Sequence, residues 1–224
     1  MTTTISRLHF TMMTIDQLFF LTLLMAASVI GLAFIIERGL ALRTSKIMPP
    51  EILSALSTFR NEGDLPMLRR ICSDHASPLG RLLLLAEKHR FYTRAENSSG
   101  LETAARKEIS RLESGLVILE IVVGISPLLG LLGTVYGLIT LFADVGPNGL
   151  GDSGAMARGI ALALRATFLG LLAAIPSLIA WSFYNKKVDT MAVEMASLCD
   201  EFLGLLYHQV DPALTAPVAA SRES

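Results

Sequence analysis

Three long apolar segments, each free of charged side chains, constrain this chain more than any other feature of its sequence. They run from Leu18 to Ile36, from Ile121 to Ala143 and from Ala166 to Tyr184. About 20 mostly apolar residues suffice for a helix to cross the hydrocarbon core of a bilayer. Soluble domains carry about 25% charged residues, whereas this chain carries 17%. The sequence therefore predicts an all-α membrane protein with three transmembrane helices.

The first apolar segment is expected to remain in the protein as a membrane helix. A cleaved signal peptide has a basic start, a short apolar core and small residues at its cleavage site. Here Asp16 precedes the segment, and the bulky run Phe34–Ile36 leads directly into Glu37 and Arg38. The segment therefore fits a retained transmembrane helix better than a signal peptide.

The distribution of lysine and arginine predicts how the helices are oriented. Basic residues follow helix 1, precede helix 2 and follow helix 3, namely Arg38, Arg43, Lys46, Arg106, Lys107, Arg111, Lys186 and Lys187. The connection 144–156 has no basic residue, and the N-terminal tail has only Arg7. Because cytoplasmic flanks are enriched in Lys and Arg, we expect the N-terminus and the 144–156 connection outside and the C-terminus in the cytoplasm.

These features predict seven segments along the chain. They are an outer tail with helix 1 at 1–36, a cytoplasmic helical region at 37–114, helix 2 at 115–143, an outer loop at 144–156, helix 3 at 157–184, a cytoplasmic helix at 185–210 and a disordered tail at 211–224. In the cytoplasmic region, Pro49-Pro50 breaks a helix, Ser77-Pro78 begins one, and Asn97–Gly100 is expected to be a turn. From Leu101 the helical pattern is expected to run unbroken into helix 2. Helix 3 likewise continues past Asn185, as part of long helices that extend from the membrane.

Charge and cysteine content exclude several classes of function. The net charge is −1, so no basic surface indicates nucleic-acid binding. Cys72 and Cys199 lie far apart and outside any CxxC motif or Cys/His cluster, so neither a disulfide framework nor a metal site is indicated. The chain also has no phosphate-binding loop and no constellation of nucleophile and base. We therefore expect no enzyme activity and no cofactor.

Small residues form continuous faces on helices 2 and 3, where they are predicted packing positions. At about 100° per residue, one face of helix 2 carries Pro127, Gly130, Thr134 and Gly137, and Gly133 forms a GxxxG pair with Gly137. Helix 3 carries one row of Gly159, Ala163 and Thr167 and another of Ala166, Gly170 and Ala174, followed by Pro176. Small faces let membrane helices approach closely, so helices 2 and 3 are expected to pack tightly.

Thr134 and Thr167 are the polar members of these faces, and two interpretations stay open for them. In the first, each hydroxyl bonds the backbone of its own helix within tight packing. In the second, the hydroxyls line a polar path or contact an acidic group of a partner. Threonine does not carry a proton as an acid does, and the three helices have no carboxylate at mid-membrane. If protons pass, the titrating acid is therefore expected from a partner helix.

Two ionisable residues, Glu120 and Arg165, fall in or beside the predicted membrane helices, where such residues are candidates for function. Glu120 lies roughly 20 Å from Thr134 at about 1.5 Å per residue. It fits either the membrane interface or the entrance of a polar path. Arg165, in the outer third of helix 3, either extends to the outer interface or pairs with an acid on another subunit.

The motifs of helices 2 and 3 carry a resemblance to a known family. Residues 127–137 match P-x-x-G-L-x-G-T-V-x-G, and residues 159–176 match G-I-x-x-A-L-x-x-T-x-x-G-L-x-x-A-I-P. These patterns, with Glu37-Arg38 after helix 1, resemble the MotA/TolQ/ExbB proton-channel family and its ExbB and TolQ branch most closely. One position departs from the family, because Leu162 stands five residues before Thr167, where well-known members often carry Glu. A role for that Glu is therefore not carried over.

The resemblance implies a function that the composition does not. The family forms homopentamers in the bacterial inner membrane around single-span ExbD-like or TolR-like subunits. Those partners carry a membrane Asp, which in the family faces the threonines that match Thr134 and Thr167. The assembly converts proton-motive force into work on an outer-membrane system through TonB or Tol-Pal components. The chain is therefore expected to be a stator subunit of such a motor.

Three alternative functions stay open. A flagellar, MotA-like stator subunit has four membrane helices, whereas this sequence predicts three. A small solute transporter usually has paired repeats and broken helices, which three dissimilar helices do not supply. A non-conducting membrane scaffold is compatible with small-residue faces alone. Proton flux in the presence of the partner would separate the scaffold from the channel.

Overall fold

Helices make up nearly all of the chain where its structure is described, and short turns connect them. A computed structural model describes residues 2–148 and 153–208, and the predicted disordered tail at 211–224 lies outside these ranges. The α-helices are α1 Thr2–Ala41, α2 Thr44–Ile47, α3 Pro50–Thr58, α4 Leu65–Asp74, α5 Pro78–Lys88, α6 Arg94–Glu113, α7 Leu116–Asn148 and α8 Ser153–His208, with a 3-10 turn at Glu62–Asp64. No strand occurs in the described ranges. The predicted all-α class is therefore confirmed.

Three of these helices are long and apolar enough to cross a bilayer. The apolar stretches are Phe19–Ala41 in α1, Leu116–Ala143 in α7 and Met156–Tyr207 in α8, so the three predicted transmembrane helices are confirmed. The helices extend beyond their apolar parts, since α7 ends at Asn148 and α8 begins at Ser153. An apolar run marks the part of a helix that crosses lipid, whereas backbone hydrogen bonds decide where the helix ends.

The chain divides into two compact units, and the first comprises Met1–Gly39 and Gly115–Tyr184. In this membrane unit α1 approaches α7 and α8 closely at its glycines. A Cβ atom at Gly31 would lie 2.8 Å from Ser177 Oγ and 3.2 Å from Val122 Cγ1. One turn after Gly31, the Ile35 carbonyl of α1 accepts a hydrogen bond from the Tyr184 hydroxyl over 2.8 Å. The membrane unit is thus a three-helix bundle.

The helix predicted to run unbroken from Leu101 into the second span is interrupted. α6 ends at Glu113 and α7 begins at Leu116, with a turn at residues 114–115. A Cβ atom at Gly115 would meet the guanidinium of Arg38, the flexible end of a side chain from α1, which would have to shift. Glycine also has low helix propensity. The break therefore coincides with a residue that favours the end of a helix.

The second unit, Leu40–Ser114 with Asn185–Ser224, contains the short helices α2 to α6 and the last part of α8. Its core includes an edge-to-face contact of Phe59 with Phe202, whose ring centroids are 5.3 Å apart. The described part of α8 in this unit buries one stripe of side chains at helical spacing, namely Val188, Met191, Met195, Cys199, Phe202 and Leu206. Such spacing is typical of an amphipathic helix that packs on a core.

The predicted turn at Asn97–Gly100 is wrong, because these residues lie inside α6. The helix begins earlier through a capping box, in which the Thr93 hydroxyl accepts from Glu96 N–H and the Glu96 carboxylate accepts from Thr93 N–H. Asn97 is fully buried, and its Nδ2 donates to the Ala86 carbonyl over 2.9 Å and to the Tyr207 hydroxyl over 3.1 Å. These tertiary bonds override the local preference of Asn for turns.

Replacing Asn97 with alanine is expected to destabilise the second unit by about 1–3 kcal/mol, because its partners lose a buried donor. The matched control is Ser98→Ala, which changes an exposed neighbour on the same helix. Thermal unfolding in mild detergent, followed by circular dichroism, measures both variants. Equal unfolding midpoints for the two variants would contradict the structural role of Asn97.

A second interaction of this unit predicts a dependence of stability on pH. Glu108 is buried, and its carboxylate accepts from Arg81 Nε over 3.1 Å and from Arg111 Nη1 over 2.8 Å. The hydrogen bond from Arg81 lowers the pKa of Glu108 below its ordinary value of 4.5, burial opposes this lowering, and the charges of Arg81 and Arg111 lower the pKa further. The folded state therefore binds the Glu108 proton less readily than the unfolded state.

The stabilisation by Glu108 is expected above about pH 4.5 and is lost as pH falls through the lowered folded-state pKa. In the Glu108→Gln variant the unfolding midpoint should fall less steeply between about pH 5 and about pH 3. At neutral pH the variant should lose about 1–2 kcal/mol. Glu102→Gln is the control, because Glu102 forms an exposed pair with Arg106. Parallel pH profiles for Glu108→Gln and the unchanged chain would refute the prediction.

Candidate functional site

The backbones of α7 and α8 touch at two glycines near the middle of their contact. A Cβ atom at Gly130 would lie 2.8 Å from the Ala166 carbonyl oxygen and 3.0 Å from the Thr167 Cα. A Cβ atom at Gly170 would lie 2.6 Å from the Ser126 carbonyl oxygen. Real Cβ atoms essentially never come this close to backbone atoms. No residue other than glycine fits either position without moving a helix.

The remaining small residues continue this contact along both helices. A Cβ atom at Gly133 would lie 3.0 Å from Ala166 Cβ, and one at Gly137 would lie 3.1 Å from Ala163 Cβ. Further along α8, a Cβ atom at Gly159 would lie 2.5 Å from Leu141 Cδ1. Ala163 and Ala174 are buried. The close approach between these rows occurs within a single chain.

Thr134 and Thr167 meet at the centre of this contact. Thr134 is buried and Thr167 is half-buried, and their hydroxyl oxygens are within hydrogen-bonding distance of each other. The Thr134 hydroxyl also lies 3.1 Å from the Gly130 carbonyl on its own helix and 3.0 Å from the Ala163 carbonyl on α8. The Thr167 hydroxyl lies 3.2 Å from the Gly130 carbonyl. The pair therefore joins the two helices, instead of bonding only within each.

The two hydroxyls have more acceptors than protons. Each hydroxyl donates one hydrogen and accepts through two lone pairs. Between them Thr134 and Thr167 have two protons, but they reach two carbonyl oxygens and each other. Rotation of a hydroxyl can therefore exchange one bond for another without moving a side chain. Such a pair can donate to an anionic oxygen or accept from a protonated acid, but it cannot itself hold a charge near neutral pH.

Sequence reasoning missed Ser126 as a member of this polar row. Ser126 is fully buried, and its hydroxyl has no hydrogen-bond partner within the described residues. It precedes Gly130 by four residues and Thr134 by eight, so the three share one face of α7. The spacing was visible in the sequence, although serine in a membrane helix usually bonds the carbonyl four residues earlier.

Neither charged candidate takes part in the hydrogen bonds of the threonine pair. Glu120 is exposed and is 14 positions from Thr134 along α7, about 21 Å at 1.5 Å per residue. Arg165 is exposed and lines a cavity of about 430 Å³ together with Leu162. The two prolines also lie outside the tight contact. Pro127 is half-buried, whereas Pro176 is exposed within α8, which continues past it.

The part of the chain that the structure describes contains no group of three His, Cys, Asp or Glu side chains that could hold a metal ion. The chemistry available at the α7–α8 contact is hydrogen bonding by hydroxyl and carbonyl groups.

The fold and the motifs agree with a comparison against known families. A match to the family described as MotA/TolQ/ExbB proton channel covers residues 77–197. The chain belongs to this family. The matched region contains both small-residue rows and the Thr134–Thr167 pair, and the family is one of channel proteins and not of enzymes.

Individual relatives lie in the ExbB and TolQ branch of the family. The Tol-Pal system protein TolQ of Pseudomonas aeruginosa is 30% identical over 212 residues, which is 87% of this chain and 88% of that protein. An ExbB homolog of Methanothermobacter thermautotrophicus, named for biopolymer transport, is 31% identical over 169 residues, and the match covers 75% of this chain but only 60% of the relative. The biopolymer transport protein ExbB of Helicobacter pylori is 42% identical over 81 residues, 36% of this chain and 56% of the relative.

Proposed function

We propose that this chain is the channel and stator subunit of an inner-membrane motor of the ExbB/TolQ type, in which a single-span partner carries the proton. The observation behind the proposal is the hydroxyl pair that buried Thr134 and half-buried Thr167 form between two membrane helices. Residues 19–41, 116–143 and 156–184, which include the most apolar part of each membrane helix, contain only two acids, Glu37 and Glu120. Neither is close enough in sequence to reach the pair, so a second chain must supply the acid that titrates there.

The partner is expected to be an ExbD-like or TolR-like protein with one membrane helix and an Asp within it. A carboxylate is the group that both accepts a proton and bonds to threonine hydroxyls. In a low-dielectric membrane, the protonated and charged forms of such an Asp would bind the pair differently. This difference couples proton transfer to movement of the partner relative to the chain.

The assembly is expected to be a homopentamer in the bacterial inner membrane, with the N-terminus in the periplasm and the C-terminus in the cytoplasm. The basic residues after the first and third spans support this orientation. The names of the relatives favour work on an outer-membrane transport or envelope system through TonB-like or Tol-Pal components. A flagellar, MotA-like role is disfavoured, because three helices of this chain are suited to spanning a membrane.

The proposal is tested in two steps. Native mass spectrometry of the chain, purified from its own membranes in mild detergent, should reveal a ring with a small single-span protein that has a membrane Asp. That complex, reconstituted in liposomes with an internal pH-sensitive dye, should pass protons when a potassium gradient and valinomycin impose a potential. Replacing the partner's Asp with Asn should abolish the flux.

A non-conducting scaffold is the competing function, and the same experiment separates the two. The ring without any acidic partner, or a complete complex that passes no more protons than empty liposomes, would favour the scaffold. Flux through the chain alone would contradict the proposed role of the partner as the proton carrier.

A further inference from the structure

The membrane unit contains a cavity that neither Thr134 nor Thr167 lines. It has a volume of about 430 Å³ and lies between α1, α7 and α8. Its walls are mainly apolar, with Phe20 and Leu24 from α1, Tyr136 from α7 and Leu162 from α8. Arg165 is the one fully charged side chain that lines it. The cavity thus combines an apolar chamber with a single cationic group.

The charge of Arg165 is not balanced within the described part of the chain. No acidic side chain there bonds to it, since Glu37 pairs with Arg38 and Glu120 is exposed on a distant turn of α7. A cation in or beside a bilayer is costly unless an anion or water reaches it. An anion that neutralises Arg165 therefore lies beyond the side chains that the structure describes.

The position of Arg165 along α8 lets its side chain reach toward the lipid headgroups. The charge-free stretch from Ala166 to Tyr184 has 19 residues, or about 28 Å at 1.5 Å per residue, close to the roughly 30 Å of a hydrocarbon core. Tyr184, followed by Lys186 and Lys187, marks one interface. Arg165 directly precedes the stretch, in the outer third of helix 3, and its long side chain can extend to the opposite interface, where lipid phosphates are found.

We propose that this cavity binds one anionic phospholipid, with the lipid phosphate on the Arg165 guanidinium and part of an acyl chain in the apolar chamber. A guanidinium binds phosphate through two parallel hydrogen bonds. A helix of a neighbouring protein is a poorer fit, because helices are about 10–12 Å wide and a single turn would fill this volume. A flexible acyl chain fits a chamber of this size and shape.

The proposal predicts that the cavity selects lipids by the charge of their headgroup and not by their acyl chains. Bilayer lipids are as apolar as the chamber, so the acyl chain alone gains little from entering it. The ionic contact with Arg165 then distinguishes an anionic lipid from a zwitterionic lipid with the same acyl chains. One basic residue near a membrane surface supports a preference of about fivefold.

The test uses the full chain in nanodiscs made from equal amounts of phosphatidylglycerol and phosphatidylcholine with identical acyl chains. Native mass spectrometry counts the lipids of each kind that remain on the released protein. The unchanged chain should retain phosphatidylglycerol over phosphatidylcholine by about fivefold. Arg165→Gln should bring this ratio near one, whereas Arg165→Lys should keep most of the preference.

A second pair of variants tests the chamber itself. Leu162→Phe adds volume to a residue that lines the cavity, and Leu164→Phe adds the same volume to an exposed residue that does not line it. Leu162→Phe should lower the number of retained lipids, and Leu164→Phe should leave it unchanged. Equal retention of both lipids by the unchanged chain, an unaltered ratio in Arg165→Gln, or identical lipid numbers in the two Phe variants would each overturn the proposal.

Discussion

Replacing Thr134 with valine is expected to reduce proton flux through the reconstituted complex by tenfold or more, a loss of the size seen when a positioned hydrogen-bonding group is removed. Valine keeps the shape of threonine but has no hydroxyl, so the contact with Thr167 and the bond to the Ala163 carbonyl are lost. Thr167→Val should have a similar effect. Thr134→Ser, which keeps the hydroxyl, should retain most of the flux. The liposome assay measures all three variants.

Thr140 offers a matched control on the same helix. Its hydroxyl bonds only to the Tyr136 and Gly137 carbonyls of α7, so Thr140→Val removes a hydroxyl without affecting the pair. Its flux should equal that of the unchanged complex. Native mass spectrometry should find the same assembly for every variant. Full flux in both Thr134→Val and Thr167→Val would exclude the pair from the proton path and leave it a packing role.

Gly170→Ala is expected to destabilise the membrane unit by about 3 kcal/mol, at the upper end of what overpacking costs in a close-packed core. The new Cβ would lie 2.6 Å from the Ser126 carbonyl oxygen, and backbone atoms cannot rotate away as a side chain does. The variant should unfold at a lower temperature in mild detergent and accumulate less in membranes. Gly130→Ala should destabilise the membrane unit in the same way, since its Cβ would lie 2.8 Å from the Ala166 carbonyl oxygen.

Gly124 is the control for these variants, because a Cβ atom there would have no neighbour within 4 Å. Gly124→Ala removes a helix-interior glycine and should stabilise α7 by about 0.5–1 kcal/mol. The two substitutions on α7, Gly124→Ala and Gly130→Ala, are therefore expected to have opposite signs. Unfolding midpoints that move in the same direction for both would argue against backbone contact between α7 and α8.

The membrane helices and the small-residue rows were predictable because each depends on composition along a single helix. Twenty apolar residues signal a span, and glycines at helical spacing mark a face. The relative register of α7 and α8 was not predictable in this way. The closest approach to backbone atoms occurs at Gly130 and Gly170, and not at the GxxxG pair that begins at Gly133. The register of two helices depends on how both of their surfaces fit together. The residue pattern of a single helix describes only its own surface.

The same limit explains the errors around α6. Asn97 to Gly100 have the local preferences of a turn, but Asn97 bonds to Tyr207, which is more than a hundred residues away. Gly115, at the break between α6 and α7, lies beside the Arg38 side chain from another helix. In both cases the neighbouring residues are distant in sequence. Ser126 differs, because its spacing from Gly130 and Thr134 was visible in the sequence, whereas its burial depends on how the helices pack.

The backbone contact between α7 and α8 has a mechanical consequence. Helices separated by long side chains slide past each other as rotamers readjust, in the small shear movements of packed helices. Gly130 and Gly170 place main-chain atoms of one helix directly against the other, and main-chain atoms have no rotamers to exchange. If the chain changes conformation, α7 and α8 are therefore expected to tilt or rotate together as one rigid body. The relative movement would then occur at other helix contacts, where larger side chains separate the backbones.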